Sequence, residues 1–433
     1  MKRIYCNLIL ITVLGRATVA GTTNEPPLPA TNVLTLDALV NQALEKDPEL
    51  NFYRAEIAAA KAGRKSAGLL PNPEVSGTIG QKTARDFASG MSGEGVAWSV
   101  SVAQPFEWPG RLGLRKAIAN RDVELAELGY ARFKVALAAR VRTLGYGLFA
   151  AQEKAVAARE VAERFQALRE VLVQRDAAGL TPLLETRVIE ATELTMQRKA
   201  SDAELAAQAA LLELNQLRGV AVDTPVAVAQ TELAFRPPDS TETLVGLAQT
   251  NNFELRLRAA ELAQQGFRVA LAKNERFPAI SVGPAINEEN SLERERVISL
   301  GVSFPLPLWN RDTANIETAK ARQMQAETAF ALSQREVERE VREAALTYEI
   351  KLREMAKWRS NAVEHFREAA ELADRHYRLG AVPVSVYVEL QQQYLEAVES
   401  LLDTKKDALA AAQNLELLTS LTPPLVSAQE GRP

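Results

Sequence analysis

Few side chains in this sequence could carry covalent or acid–base chemistry. Histidine occurs only at His365 and His376. Spaced as they are, the two could share one helical face, but a zinc-type site needs a third ligand and none is evident beside them. A surface or packing role fits both better. The single cysteine, Cys6, lies close to the N-terminus. No glycine-rich phosphate loop, nucleophile elbow or metal-ligand cluster occurs. The expectation is therefore no enzyme, with no catalytic residue, no cofactor and no bound metal.

What remains is charge and turn chemistry in particular places. Gly179-Leu180-Thr181-Pro182 and Gly380-Ala381-Val382-Pro383 each place a glycine where a helix ends at positive φ. Each then offers a proline suited to the first turn of a following helix. Glu185 and Glu389 lie just after these turns, where a helix dipole favours an acidic side chain. Glu/Arg runs such as Arg335 to Arg342 read as solvated helix faces and interhelix pairs. A formal net charge of -4 gives no basic footprint for nucleic acid.

The elements that position these residues begin after an export signal. Lys2 and Arg3, the apolar run Ile4 to Leu14 and the small residues Thr18-Val19-Ala20 read as a signal peptide over 1–20. Arg16 is a flaw in that signal, and an uncleaved anchor is the alternative. Cleavage would remove Cys6 and leave no thiol for disulfides, thiolate ligands or nucleophilic attack. Residues 21–33 read as a linker. No later segment is apolar enough to span a bilayer as a helix, so membrane residence requires strands.

The rest is an internal repeat. Leu39-Val40 with Ala43 recurs as Leu244-Val245 with Ala248, Glu49-Leu50 as Glu254-Leu255, and Pro73 with Ser76 as Pro278 with Ser281. Further on, Pro105, Arg111 and Val141-Arg142 match Pro305, Arg311 and Val341-Arg342. The first repeat covers 34–218, with strands at about 73–105 and long helices at about 111–218. A connector covers 219–240. The second repeat covers 241–422, with strands at about 278–305 and long helices at about 311–422, and 423–433 is a loose tail.

Each repeat runs helix, strand pair, very long helix, turn, shorter helix. The stretch from Arg311 to Leu379 holds no Gly or Pro and as one helix would run about 100 Å. Phe133, Leu137, Val141, Leu144 and Leu148 in one half, and Val337, Val341, Ala345, Tyr348 and Leu352 in the other, space as coiled-coil seams.

The strands alternate. Val96, Trp98, Val100 and Val102 interleave with Ala97, Ser99, Ser101 and Ala103, as Ile298, Leu300, Val302 and Phe304 do with Ser299, Gly301 and Ser303. Their length suits a tilted membrane crossing. Trp98, Trp108 and Trp309 lie near strand ends, as interfacial anchors or core packing. Four strands cannot close a barrel and open edges do not survive in lipid, so this reading requires oligomerisation. Two hairpins capping a soluble coiled coil are the alternative.

This plan resembles the TolC-like outer membrane factors over nearly all of the chain after the signal. Leu70-Pro71-Asn72-Pro73-Glu74, Gln104 to Arg111 and Phe304 to Arg311 look like the heavy-metal efflux branch, the CzcC-like proteins. The resemblance implies a mainly α fold with a small β part: two tandem repeats of coiled-coil helical hairpins and four transmembrane strands per chain. It implies a homotrimeric α-barrel/β-barrel in the outer membrane of a Gram-negative bacterium, with a long periplasmic portion. It further implies a periplasmic membrane-fusion adaptor docking at Gly179, Leu180, Pro182, Gly380, Ala381 and Pro383, and an inner-membrane transporter of the resistance-nodulation-division type.

Glu185 and Glu389 stand where the family often places acidic side chains at the pore constriction. Val382 and Val386 stand where some relatives carry polar gate residues, a departure from a salt-bridged gate. The expected function is a passive exit duct for divalent heavy-metal cations. Drug efflux, type I protein secretion and a soluble periplasmic adaptor or scaffold stay open.

Overall fold

The computed structural model describes residues 32–88, 90–176, 183–229, 231–307, 312–358, 361–421 and 423–430. The expected signal peptide, most of the linker, and Gly179, Leu180, Pro182, Trp309 and Arg311 lie outside the described residues.

The first repeat opens with β1 (Asn32–Leu34), α1 (Leu36–Lys46) and α2 (Glu49–Ala67). The Thr35 hydroxyl caps α1 by accepting the Ala38 N–H at 3.2 Å. The helix stops because a residue before proline is pushed out of the α region: Asp47, ahead of Pro48, has ψ 121°. The hairpin β2 (Glu74–Arg85) and β3 (Ser92–Phe106) follows, then α3 (Arg111–Asp176) and α4 (Leu183–Leu217). At 66 residues, α3 is the longest element and runs about 100 Å.

The connector contributes β4 (Val226–Val228) and β5 (Thr231–Phe235). The second repeat then gives α5 (Thr241–Asn251), α6 (Phe253–Glu275), β6 (Ile280–Asn290), β7 (Arg294–Ser303), α7 (Thr313–Met355), α8 (Ala362–Arg378) and α9 (Val384–Thr419). The chain ends in β8 (Val426–Glu430).

The repeated residues are the core. Leu39, Val40 and Ala43 on α1 are buried with Val141 of α3, and Leu244, Val245 and Ala248 on α5 are buried with Val341 of α7. Both seams bury aromatic rings, Tyr146 in one half and Tyr348 in the other. Helix α9 joins the two clusters, giving Leu395, Leu402 and Leu409 to one and Ala412 and Leu415 to the other. The two coiled-coil hairpins thus keep separate cores, bridged by α9 and by Phe235 and Val426, which pack against both.

Three sequence expectations are corrected. The glycine- and proline-free stretch of the second repeat is two helices, not one. After α7 the hydrogen bonds tighten, with Lys357 N–H on Glu354 O and Trp358 N–H on Met355 O. Asn361 then leaves the helical region at φ -114°, ψ 19°. Its amide bonds the His365 ring nitrogen at 2.8 Å, and asparagine is a residue whose side chain competes with helical backbone bonds.

Second, the ends are not loose where they are described. Asn32–Leu34 pairs parallel with Val226–Val228, and Val426–Glu430 pairs antiparallel with Thr231–Phe235. The connector strands would otherwise expose unpaired backbone groups. Third, α9 begins at Val384 with no acidic residue in its first turn. The dipole argument therefore applies to Glu185 alone.

Glu416 of α9 anchors the returning C-terminal segment. Its carboxylate accepts the Leu425 N–H, while the Gln413 amide donates to its other oxygen at 2.9 Å. Burial holds this carboxyl above the usual carboxylate range, against the lowering effects of the Leu425 and Val426 N–H groups and Arg142. A raised pKa means that the folded state favours the protonated form. The stability it contributes is complete below the ordinary carboxyl pKa of about 4 and is lost as pH rises through the raised value. Hydrogen exchange of Val426–Glu430 is expected to show weakening protection over that rise, after correction for intrinsic rates. The dependence is expected to vanish in Glu416→Gln.

Candidate functional site

Two regions can act: the sheet, and the helix tips at the α8–α9 turn. The sheet has strand order β2-β3-β6-β7, all antiparallel neighbours. Register sorts its side chains. Val75 pairs Val102 and Ile79 pairs Trp98, while Val100 meets Ile286 and Ile286 meets Ile298. This face is apolar and exposed. Ser76 pairs Ser101 and Thr78 pairs Ser99 on the opposite face, with hydroxyl–hydroxyl bonds at 2.8 and 2.7 Å. From Phe106 to Val96, β3 rises about 33 Å, or about 25 Å along the normal of a bilayer at a tilt of about 40°. That is the height of a transmembrane apolar band. No helix among the described residues is long and apolar enough to cross a membrane.

The strands β3 and β6 approach closely. A Cβ built on Gly283 would lie 1.6 Å from the Val102 carbonyl oxygen, so only glycine fits there. The next residue, Pro284, has no N–H for the ladder, and Val102 and Ala103 have no register partner on β6. Among the described residues, the outer strands β2 and β7 have no neighbour on their far sides.

A cross-repeat junction fixes this sheet to the helices. Arg111, at the start of α3, donates to the Asn274 side chain and backbone and to the Phe277 carbonyl, at 3.1, 3.1 and 2.6 Å. Trp108 stacks on Phe277 with centroids 4.9 Å apart. Trp98 instead lies exposed on the apolar face. Sequence comparison of the halves marked Arg111 only as a repeated residue; its partners belong to the other repeat and carry no local signal.

At the tip, α8 ends in a Schellman motif. Gly380 sits at φ 73°, its N–H bonds Tyr377 O, and the Ala381 N–H bonds His376 O, both at 2.9 Å. Pro383 is the N-cap residue of α9 rather than its first helical residue. Behind the turn, Tyr387 is buried between Phe165 of α3 and Tyr377 of α8, at 5.2 and 5.3 Å. Burial raises its hydroxyl above the usual range. Gln391, also fully buried, donates to Ala370 O at 2.8 Å and accepts from Arg164 at 3.2 Å. The sequence reading missed Gln391, a polar residue on a largely apolar seam.

Glu185 is half-buried and accepts from the Tyr377 hydroxyl at 3.5 Å, linking α4 to α8. Glu389 is exposed and held by Gln393 one turn on. The two glutamates are thus in unlike settings within one chain. His365 is bonded locally to Asn361, and among the described residues no group of ligating side chains could hold a metal ion.

A long helical duct joined to a sheet with one lipid-compatible face is the pattern that comparison with known proteins matches. A family model described as outer membrane efflux protein covers residues 39–220 and 244–420. The chain belongs to that family. Its two matched segments correspond to the two repeats. The chain is 24% identical over 302 residues to the cobalt-zinc-cadmium resistance protein CzcC of Cupriavidus metallidurans, covering 69% of each. It is 23% identical over 290 residues to the nickel-cobalt-cadmium resistance protein NccC of Alcaligenes xylosoxydans xylosoxydans, covering 66% of this chain and 63% of that one.

Solved structures share the fold. CusC matches with a TM-score of 0.70 at 14% identity, over 90% of this chain and 93% of that one. The Campylobacter jejuni CmeC outer membrane channel matches at 0.71 and 15% identity, over 89% and 85%. The protein is thus an outer membrane efflux protein and not an enzyme.

The two faces of the sheet predict opposite tolerance to charge. Leu300→Lys, in the middle of the apolar band, is expected to cost about 2–4 kcal/mol and to impair membrane assembly. Ser299→Lys, on the other face, is expected to assemble normally. The yield of detergent-resistant oligomer from outer membranes reads both.

Proposed function

We propose that three copies of the chain pool their sheets into one closed barrel of about twelve strands. Their helices pool into a periplasmic tunnel in a Gram-negative envelope, and the assembly is the exit duct of a tripartite efflux system. The observation that carries this is the sheet itself: one apolar face, one small and polar face, and two edge strands without a partner among the described residues. Buried in lipid, those edges would leave a row of N–H and C=O groups unsatisfied, so the chain must complete its sheet with others. The mature portion begins after residue 20 in this reading, and the two repeats flank the connector at 219–240.

The cargo in this reading is divalent heavy-metal cations, delivered by a proton-driven pump of the resistance-nodulation-division type through a periplasmic adaptor. Similarity to CzcC and NccC, both metal-resistance proteins by name, supports the cargo. The adaptor docks at the tips, on Gly179, Leu180, Pro182, Gly380, Ala381 and Pro383. The Schellman turn supports that role, because backbone hydrogen bonds from Gly380 and Ala381 fix the shape of the tip.

Glu185 and Glu389 form the acidic constriction. Repeated in each copy, their carboxylates concentrate negative charge and favour cations. Glu389 is exposed already; Glu185 becomes free to face the duct when its contact with Tyr377 opens. In single-channel recordings, Glu185→Gln with Glu389→Gln is expected to shift the cation-to-anion permeability ratio towards unity. An unchanged ratio would remove both from the constriction.

A further inference from the structure

On β7 the apolar face changes character towards the hairpin end. Val302, Leu300 and Ile298 give way to Arg296 and Arg294, which occupy the same face. Both guanidinium groups are held by one carboxylate. Arg294 Nε bonds Glu288 Oε1 at 2.9 Å, and Arg296 Nε and Nη2 bond Glu288 Oε2 at 2.9 and 2.7 Å. The Arg294 Nη2 lies 2.6 Å from Oε1. Glu288 is 10% exposed, whereas Arg294 and Arg296 are 64% and 56% exposed.

The geometry sorts the donors. Each guanidinium spends its Nε–Nη2 edge on one oxygen of Glu288, which leaves both Nη1 groups directed elsewhere. The cluster carries two positive charges against one negative. Glu94, the other carboxylate of this face near the hairpin end, is turned to Gln81 on β2. Lys82, Glu289 and Glu295 lie on the opposite face. A second copy pairing β2 against β7 brings Val75, Gly77, Ile79, Gln81, Thr83 and Arg85 to this face, with no carboxylate in any register. Closing the barrel therefore leaves the surplus charge in place.

Height identifies what meets it. The helices join the strands at the end marked by Phe106 and Ile280, and the β6–β7 hairpin lies at the other end. In the outer membrane the hairpin end is the outer one. Arg296 stands in the row of Trp98 and Glu288, one row inside the upper limit of the apolar band, with Arg294 in the next row, that of Val96, at the limit itself. Lipid chains cover the face below this row, and phosphorylated glycolipid headgroups stand at its level. An exposed ion pair that only stapled the hairpin would need one arginine and would stabilise little. Two pre-oriented guanidinium groups suit a phosphate, which they can meet with charge-assisted bonds.

The geometry points to a site for the phosphate of an outer-leaflet glycolipid on Arg294 and Arg296, oriented by Glu288, once per subunit. The inference rests on the outer-membrane barrel. The test uses the full-length oligomer, purified in detergent and incorporated in phosphatidylcholine nanodiscs with bisphosphorylated lipid A or its dephosphorylated form. Bound lipid A per oligomer is read by native mass spectrometry.

The double variant Arg294→Gln, Arg296→Gln is expected to retain about tenfold less bisphosphorylated lipid A, equivalent to about 1.4 kcal/mol. It is expected to match the wild type for the dephosphorylated form. Glu288→Gln keeps both guanidinium groups and is expected to retain at least as much lipid as the wild type. Arg296→Lys, which keeps the charge but loses the planar fork, falls between.

Equal retention by the double variant and the wild type overturns the site. So does loss in Glu288→Gln as large as in the double variant, because that is the signature of a hairpin staple. Displacement of lipid by millimolar inorganic phosphate overturns the lipid as occupant. Unchanged single-channel conductance of the variants shows that the barrel itself stands, so failure of the site and failure of the barrel are told apart.

Discussion

Backbone groups in hydrocarbon must all be hydrogen-bonded, and this chain cannot meet that condition alone. Its sheet ends in β2 on one side and β7 on the other, each with one ladder unpaired among the described residues. The cost of leaving such groups unsatisfied is several kcal/mol each. Much else follows from this. The exposed apolar face has a role only in lipid. The helices must assemble around the same axis as the strands, because the two are joined without long linkers at Arg111 and Trp108.

The helical part solves a different problem, that of staying straight and closed over about 100 Å. It does so with small residues and few breaks. The seams of α3 and α7 bury alanines and few aromatic rings, so helices lie close, and α9 belongs to both hydrophobic clusters. Polar contacts run along the helices, as in Lys154 with Asp403 and Arg159 with Glu204, and also bind the tip. The Gly380 turn, the Gln391 bonds to Ala370 and Arg164, and the Tyr377 contact with Glu185 all lie towards the tip. Membership of the outer membrane efflux protein family agrees with this division of labour between strand wall and helical duct.

Positions where sequence and structure part company have a common cause. The split between α7 and α8 occurs without glycine or proline, at Asn361, whose side chain bonds His365. A helix-breaking rule based on those two residues does not see it. Likewise β1 and β8 are short strands whose existence depends on distant partners, Val226–Val228 and Thr231–Phe235. Arg111 looks like any arginine at a helix start until Asn274 and Phe277 are placed beside it.

The sequence by itself determined the repeat, the helix and strand types, and the two faces of the sheet. Those are set by local periodicity: apolar spacing of three and four for the seams, and strict alternation for the strands. It also determined the Gly380 turn, since a left-handed residue followed by proline is a local demand. Tertiary structure alone decided which strands neighbour one another, how Pro284 and Gly283 interrupt the β3–β6 ladder, and that Arg294 and Arg296 converge on Glu288. These are pairings between segments far apart in the chain or facing across a turn. No single segment encodes them, because each becomes favourable only after the other is in place.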